Sequence, residues 1–76
     1  MPPPTPHRVA VLAFDGLVAG DLSTACEIFQ LAETLDGRRP YAVQVHAGKP
    51  RVRTHAYDLH IRHRLDAARG ADTLVI

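Results

Sequence analysis

The chain has 76 residues, 46% of them apolar and 5% aromatic, and a net charge of +1. A chain of this size hides roughly 60% of its unfolded surface, so it makes one small domain, or part of one, with a thin core. No apolar stretch approaches the roughly 18 residues of a transmembrane helix. The start, Met1 to Pro6, has no apolar h-region and is not a secretory signal. A lone cysteine, Cys26, excludes an internal disulfide and a multi-cysteine zinc site. The charged and apolar content is that of a globular chain, and a cytoplasmic location is expected.

Residues 1–7 form a proline-rich leader, expected to be extended and disordered. Arg8 then opens Val9-Ala-Val-Leu-Ala-Phe14, a continuous apolar run that stops at the turn pair Asp15-Gly16. A short, unbroken apolar run predicts a strand buried on both faces, as in a parallel sheet. Thr24-Ala-Cys-Glu27 fits a capping box, in which Thr24 and Glu27 satisfy each other's amides. Ile28, Leu31, Ala32 and Leu35 follow at helical spacing, with Phe29 widening the stripe, and Asp36-Gly37 supplies a stop. The predicted helix is Ala25–Leu35.

Tyr41-Ala-Val-Gln-Val-His-Ala47 alternates with β-branched residues and predicts a second strand, completing a βαβ unit with parallel strands. Val52–Thr54 and Leu59–Ile61 predict a small hairpin around a His55–Asp58 turn. Leu65–Gly70 predicts a short helix, and Thr73–Ile76 a final strand. A buried parallel strand normally leads into a helix that covers it, so the expectation is a chain cut from a larger α/β domain. The expected fold class is therefore α/β: the N-terminal portion of a parallel sheet, with a βαβ unit, a small hairpin and a terminal strand. Such a piece by itself is expected to be of marginal stability, associating through exposed edges or unfolding.

Charge is unevenly spread. Residues 1–36 set Arg8 against Asp15, Asp21, Glu27, Glu33 and Asp36, a net −4, whereas residues 37–64 sum to +6. That basic middle suits an anionic partner, but its residues are scattered and nearly free of aromatics. It reads as solvated flanks that pair in part with the acidic first third.

In open α/β sheets ligands bind beyond the carboxyl ends of the strands, which puts Asp15, Gly16 and Asp21 where chemistry would be. The loop lacks the third glycine of a dinucleotide fingerprint and the Gly-Lys-Ser/Thr of a P-loop. Asp21 stands among Leu17, Val18, Ala19 and Leu22. A carboxyl there suits holding a proton, assisting a nucleophile or binding a ligand; the same spacing suits a cap on the amides of Ser23 or Thr24. Asp15 fits a turn former. Cys26 near a helix start has no base beside it in sequence and reads as a small buried hydrophobe. His60-Ile-Arg-His63 has H-x-x-H spacing, but in a strand such residues face opposite ways, so no metal site is expected.

The stretch Arg8-Val-Ala-Val-Leu-Ala-Phe-Asp-Gly-Leu-Val-Ala-Gly-Asp-Leu-Ser-Thr-Ala-Cys-Glu-Ile-Phe-Gln-Leu-Ala32 resembles the opening of the ThiJ/PfpI (class I glutamine amidotransferase-like) family. It is most similar to the branch fused to AraC-type helix-turn-helix regulators, and the similarity extends over about residues 8–76. The resemblance implies a flavodoxin-like sheet and a family acidic position at Asp21, with Asp15 and Gly16 in the ligand-facing loop. The family's catalytic cysteine sits on a strand-to-helix elbow that this chain does not contain, and Cys26 does not match it. Ala25 stands where the family usually has proline, and His55-Ala-Tyr-Asp58 replaces a more glycine-rich turn. The implied function is the N-terminal, non-catalytic part of a ligand-sensing domain in a transcriptional regulator. By the same resemblance no cofactor is expected, DNA would be met only through a C-terminal domain absent here, and the full-length protein would be a homo-oligomer. The alternative is the start of a ThiJ/PfpI-type cysteine-dependent enzyme, hydratase- or amidase-like; a free-standing interaction module is a third reading.

Overall fold

The structure, a computed structural model, describes residues 5–76. Its elements run β1 (His7–Leu12), α1 (Ala19–Gln30), β2 (Tyr41–Ala47), β3 (Arg51–Arg53), β4 (Asp58–His60), β5 (His63–Arg64), a 3-10 helix (Leu65–Gly70) and β6 (Thr73–Val75). Four strands form one parallel sheet in the order β5-β2-β1-β6, and β3 and β4 form a separate antiparallel hairpin. The chain is thus an α/β unit with a parallel sheet and a small hairpin, as its sequence predicts.

The first half of the apolar run does what a doubly covered strand should, but β1 starts before it at His7 and ends at Leu12, leaving Ala13 and the 54% exposed Phe14 to the loop. Val9, Ala10 and Val11 are consecutive and all buried, so both faces of β1 are shielded along this stretch. Registered pairing sets Val9 beside Val43 and Val11 beside Val45 on β2, and Val9 beside Thr73 on β6. α1 packs on the sheet over β1 and β2, with Phe29 edge-on to Tyr41 at 5.1 Å between ring centroids. On the opposite face Ala42, Gln44 and Leu74 remain exposed.

α1 departs from its predicted span Ala25–Leu35. It starts six residues earlier, with Val18 as its extended N-cap, and Thr24 lies inside the helix, so no Thr24–Glu27 capping box forms. Asp21 falls in the first turn, and no side-chain cap bond exists at all, which removes its predicted capping role. The helix ends at Gln30 because the following polar side chains take over the backbone. Thr34 N–H donates to the Arg38 carbonyl at 2.8 Å, the Thr34 hydroxyl bonds the Asp36 carboxylate, and Arg39 Nη1 donates to the Gln30 carbonyl at 2.8 Å. Gly37 does adopt the left-handed region, φ 83°, but it closes this turn rather than the helix.

The shift rotates the buried face. Leu22, Ala25, Cys26 and Phe29 become half-buried; of the predicted core stripe Phe29 and Ala32 are half-buried, whereas Ile28 is 64% exposed, Leu31 61%, and Leu35 fully. Of the leader, residues 1–4 lie outside the described residues, and His7 is not leader but the first residue of β1.

The two ends of the described chain are clasped. Arg8 N–H donates to Asp72 Oδ2 at 2.8 Å, and Asp72 N–H returns a bond to the Arg8 carbonyl at 2.8 Å. His7 Nε2 and Thr73 Oγ1 share a hydrogen bond of 2.6 Å, and Arg8 Nη1 donates to the Gly70 carbonyl at 3.0 Å.

Candidate functional site

A cluster of buried apolar side chains lies where the loop after β1 meets the hairpin and the start of α1. Ala13 and Leu17 come from that loop, Ala47 from the end of β2, Val52 from β3, and Ile61 from the residue after β4; Leu22, Val45 and Leu59 pack against them. The hairpin closes over the carboxyl ends of β1 and β2. Ile61 N–H donates to the Pro50 carbonyl at 2.8 Å, and Thr54 N–H to the Tyr57 carbonyl at 2.9 Å, which shapes the hairpin tip.

Asp15 and Gly16 hold the loop to the hairpin. Gly16 has φ 86° in a turn closed by Leu17 N–H donating to the Phe14 carbonyl at 3.2 Å, a conformation that favours glycine. Its own N–H donates to the Arg53 carbonyl at 2.9 Å, and Arg53 N–H donates back to Asp15 Oδ1 at 2.9 Å. Asp15 Oδ2 is paired with Lys49 Nζ and lies 3.7 Å from Arg53 Nη2. The Lys49 ammonium, and after it the Arg53 amide, hold the Asp15 carboxyl below its ordinary range. Asp15 is therefore more than a turn former: it is the latch between strand and hairpin.

Asp15 and Gly16 share an open recess of about 380 Å³ with Arg53, Thr54 and His55. Asp21 is not among its lining residues. It stands exposed in the first turn of α1, with no side-chain hydrogen bond or ion pair among the described residues. Cys26 is half-buried, and burial, with Glu27 adding to it, pushes its thiol above the usual value; it is not an activated nucleophile. His60 ends β4 and His63 begins β5, so the pair does not share one strand as predicted. Among the described residues, no three His, Cys, Asp or Glu side chains gather as a metal set.

Sequence reasoning missed the hairpin's contribution. Lys49 and Arg53 belong to the basic middle read as solvated flanks pairing with the acidic first third, and with Asp15 they do pair; what spacing did not show is that both meet one carboxylate. It also missed His46, buried to 1% at the end of β2. His46 Nδ1 bonds the Arg64 carbonyl at 2.9 Å, so Nδ1 carries the proton there, and the ring lies 5.2 Å from that of His63. A second, larger recess of about 840 Å³ lies at the amino ends of β1 and β2, between Pro6, Leu35 and Pro40. It is remote from the carboxyl-end loops, and its Arg38 is already paired with Asp36 at 3.0 Å.

Comparison with family models, with curated proteins and with solved structures finds no match. The fold and the site thus rest on the chain's own geometry: an α/β unit whose carboxyl-end loop is latched under a basic hairpin. No helix among the described residues is long and apolar enough to cross a membrane.

Proposed function

We propose that this chain is the N-terminal part of a flavodoxin-like, ligand-sensing domain of the ThiJ/PfpI type, non-catalytic by itself, in a cytoplasmic AraC-type transcriptional regulator. The observation that carries the reading is the strand order: β2 and β6 flank β1 on opposite sides, so the order reverses at the carboxyl end of β1. In open parallel sheets that is where ligands settle, and the loop there holds Asp15, Gly16 and the recess under the hairpin. The motif resemblance of residues 8–32 supports the family. The exposed apolar side chains of α1 and β6 support a larger parent domain, in which further elements would cover Ile28, Leu31 and Leu74.

One observation favours a second reading, the start of a cysteine-dependent enzyme. Asp21 is an exposed, unpaired carboxyl among the described residues, as an acid awaiting a nucleophile from elsewhere would be. The two readings separate on the coding sequence around these codons. A helix-turn-helix segment downstream supports the regulator. An elbow cysteine with a nearby histidine and no helix-turn-helix, together with amide or nitrile turnover by the complete protein, overturns it.

A further inference from the structure

We propose that the recess between the β1 loop and the hairpin takes a small carboxylate-bearing molecule, held by the Arg53 guanidinium and the His55 imidazole over an open floor at Gly16. The inference rests on the ligand-site reading above and gives that site its chemical class.

The backbone of Arg53 is fixed from both sides, its N–H on Asp15 and its carbonyl on Gly16, each at 2.9 Å. The base of the side chain is therefore ordered before any ligand arrives, which lowers the entropy cost of binding. Its guanidinium is much less committed: the nearest carboxylate oxygen lies 3.7 Å away and the side chain is 73% exposed. Donors are left to fork onto a carboxylate, the geometry a guanidinium recognises best.

Charge selects the sign of the guest. Lys49, just outside the recess, is paired with Asp15 and offsets its charge, so the Arg53 guanidinium, 3.7 Å from that carboxylate, leaves one positive charge in excess at the lip. Asp58, the other hairpin acid, stands opposite Arg53 in the register but makes its ion contact with Arg51, at 3.9 Å. His55 adds an exposed ring N–H to the same lip. Over Gly16 a β-carbon would meet no atom within 4 Å, so a guest can lie against its backbone. The volume, about 380 Å³, sits at the small end of ligand sites and fits a molecule of a few carbons.

The test is an amide-resolved NMR titration of the full chain with succinate, with succinamide and with inorganic phosphate. Saturable shifts at Gly16, Arg53, Thr54 and His55 are expected with succinate, with succinamide and phosphate each weaker by about tenfold or more, the scale of one lost charge-assisted hydrogen bond. Arg53→Gln should weaken succinate by about tenfold, with Arg53→Lys intermediate because charge stays and the fork is lost. His55→Gln, which touches no backbone latch, should weaken it severalfold and guards against a folding defect at position 53. Equal binding of succinamide or phosphate, or unchanged succinate affinity in both Arg53→Gln and His55→Gln, overturns the carboxylate assignment. Shifts at Gly16 with succinamide alone would keep the ligand site and reject its proposed class. Silence of Gly16, Arg53, Thr54 and His55 toward all three probes overturns the assignment and counts against the site.

Discussion

The hairpin end and the helix flank of this molecule put their apolar side chains to opposite effect. At the hairpin end, Leu17, Val52 and Ile61 come from three separate segments and are all buried. Along α1 no residue is buried, and Ile28, with Leu31 at the C-cap, faces outward. What separates the two regions is closure. The loop after β1 is pinned to β3 by reciprocal backbone and carboxylate bonds, which hold apolar groups together; α1 lies on the sheet without comparable ties. Helical spacing predicts that an apolar face exists, but burial depends on whether something is held against it.

The largest expected difference between the two regions is Ile61→Ala set against Ile28→Ala. The buried position should cost about 2–5 kcal/mol of stability, whereas the exposed one should stay within about 0.5 kcal/mol; urea midpoints of the two variants check it. Equal losses would mean that α1 is packed more tightly than its exposure indicates. Next in size is Gly16→Ala. It places a β-carbon on a left-handed backbone and should cost about 1–2 kcal/mol, although open space surrounds that atom. A thermal melt that moves less than that of Ile28→Ala would show that the loop turn is free to rearrange.

A smaller effect should appear in acid. The Asp15 carboxyl is held below its ordinary value of 3.8, first by Lys49 and then by the Arg53 amide. Its stabilisation is therefore full above the unfolded value and is lost as pH falls from there through the lower folded value. Asp36, lowered chiefly by the Thr34 hydroxyl, adds a loss in the same direction. Asp15→Asn should flatten the acid limb of a stability–pH curve below about pH 4 and leave its shape near neutrality unchanged. Thr34→Ala should do the same more weakly, and, sitting after α1 rather than at the latch, should leave the amide shifts of Gly16 and Arg53 unmoved.

Much of this architecture was legible because its signals are local. β2 occupies the predicted Tyr41–Ala47, the short helical turn occupies Leu65–Gly70, and the hairpin and final strand fall within a residue or so of their expected places. Alternation, β-branching and a glycine stop are properties of neighbours in sequence. α1 was misplaced because Thr24-Ala-Cys-Glu27 carries a capping pattern that the real N-terminus, at extended Val18, does without. The two-residue β5 is too short to show any period. At the candidate site, Asp15 and Gly16 were visible as a turn pair beyond a strand. Their partners were not, because Lys49 and Arg53 lie 34 and 38 residues from Asp15 and only folding brings them to one carboxylate.

The clasp that ties His7 and Arg8 to Gly70, Asp72 and Thr73 has a consequence for the order of assembly. Its bonds span 62 to 66 residues of chain, whereas the hairpin pairs residues 5 to 9 positions apart. Closing so long a loop costs entropy before any contact repays it. The expected order is therefore the hairpin early and the docking of β6 on β1 late. Reversed, the same path makes β6 the first strand to detach, so its amides should exchange with solvent sooner than those of β2, which is paired on both sides.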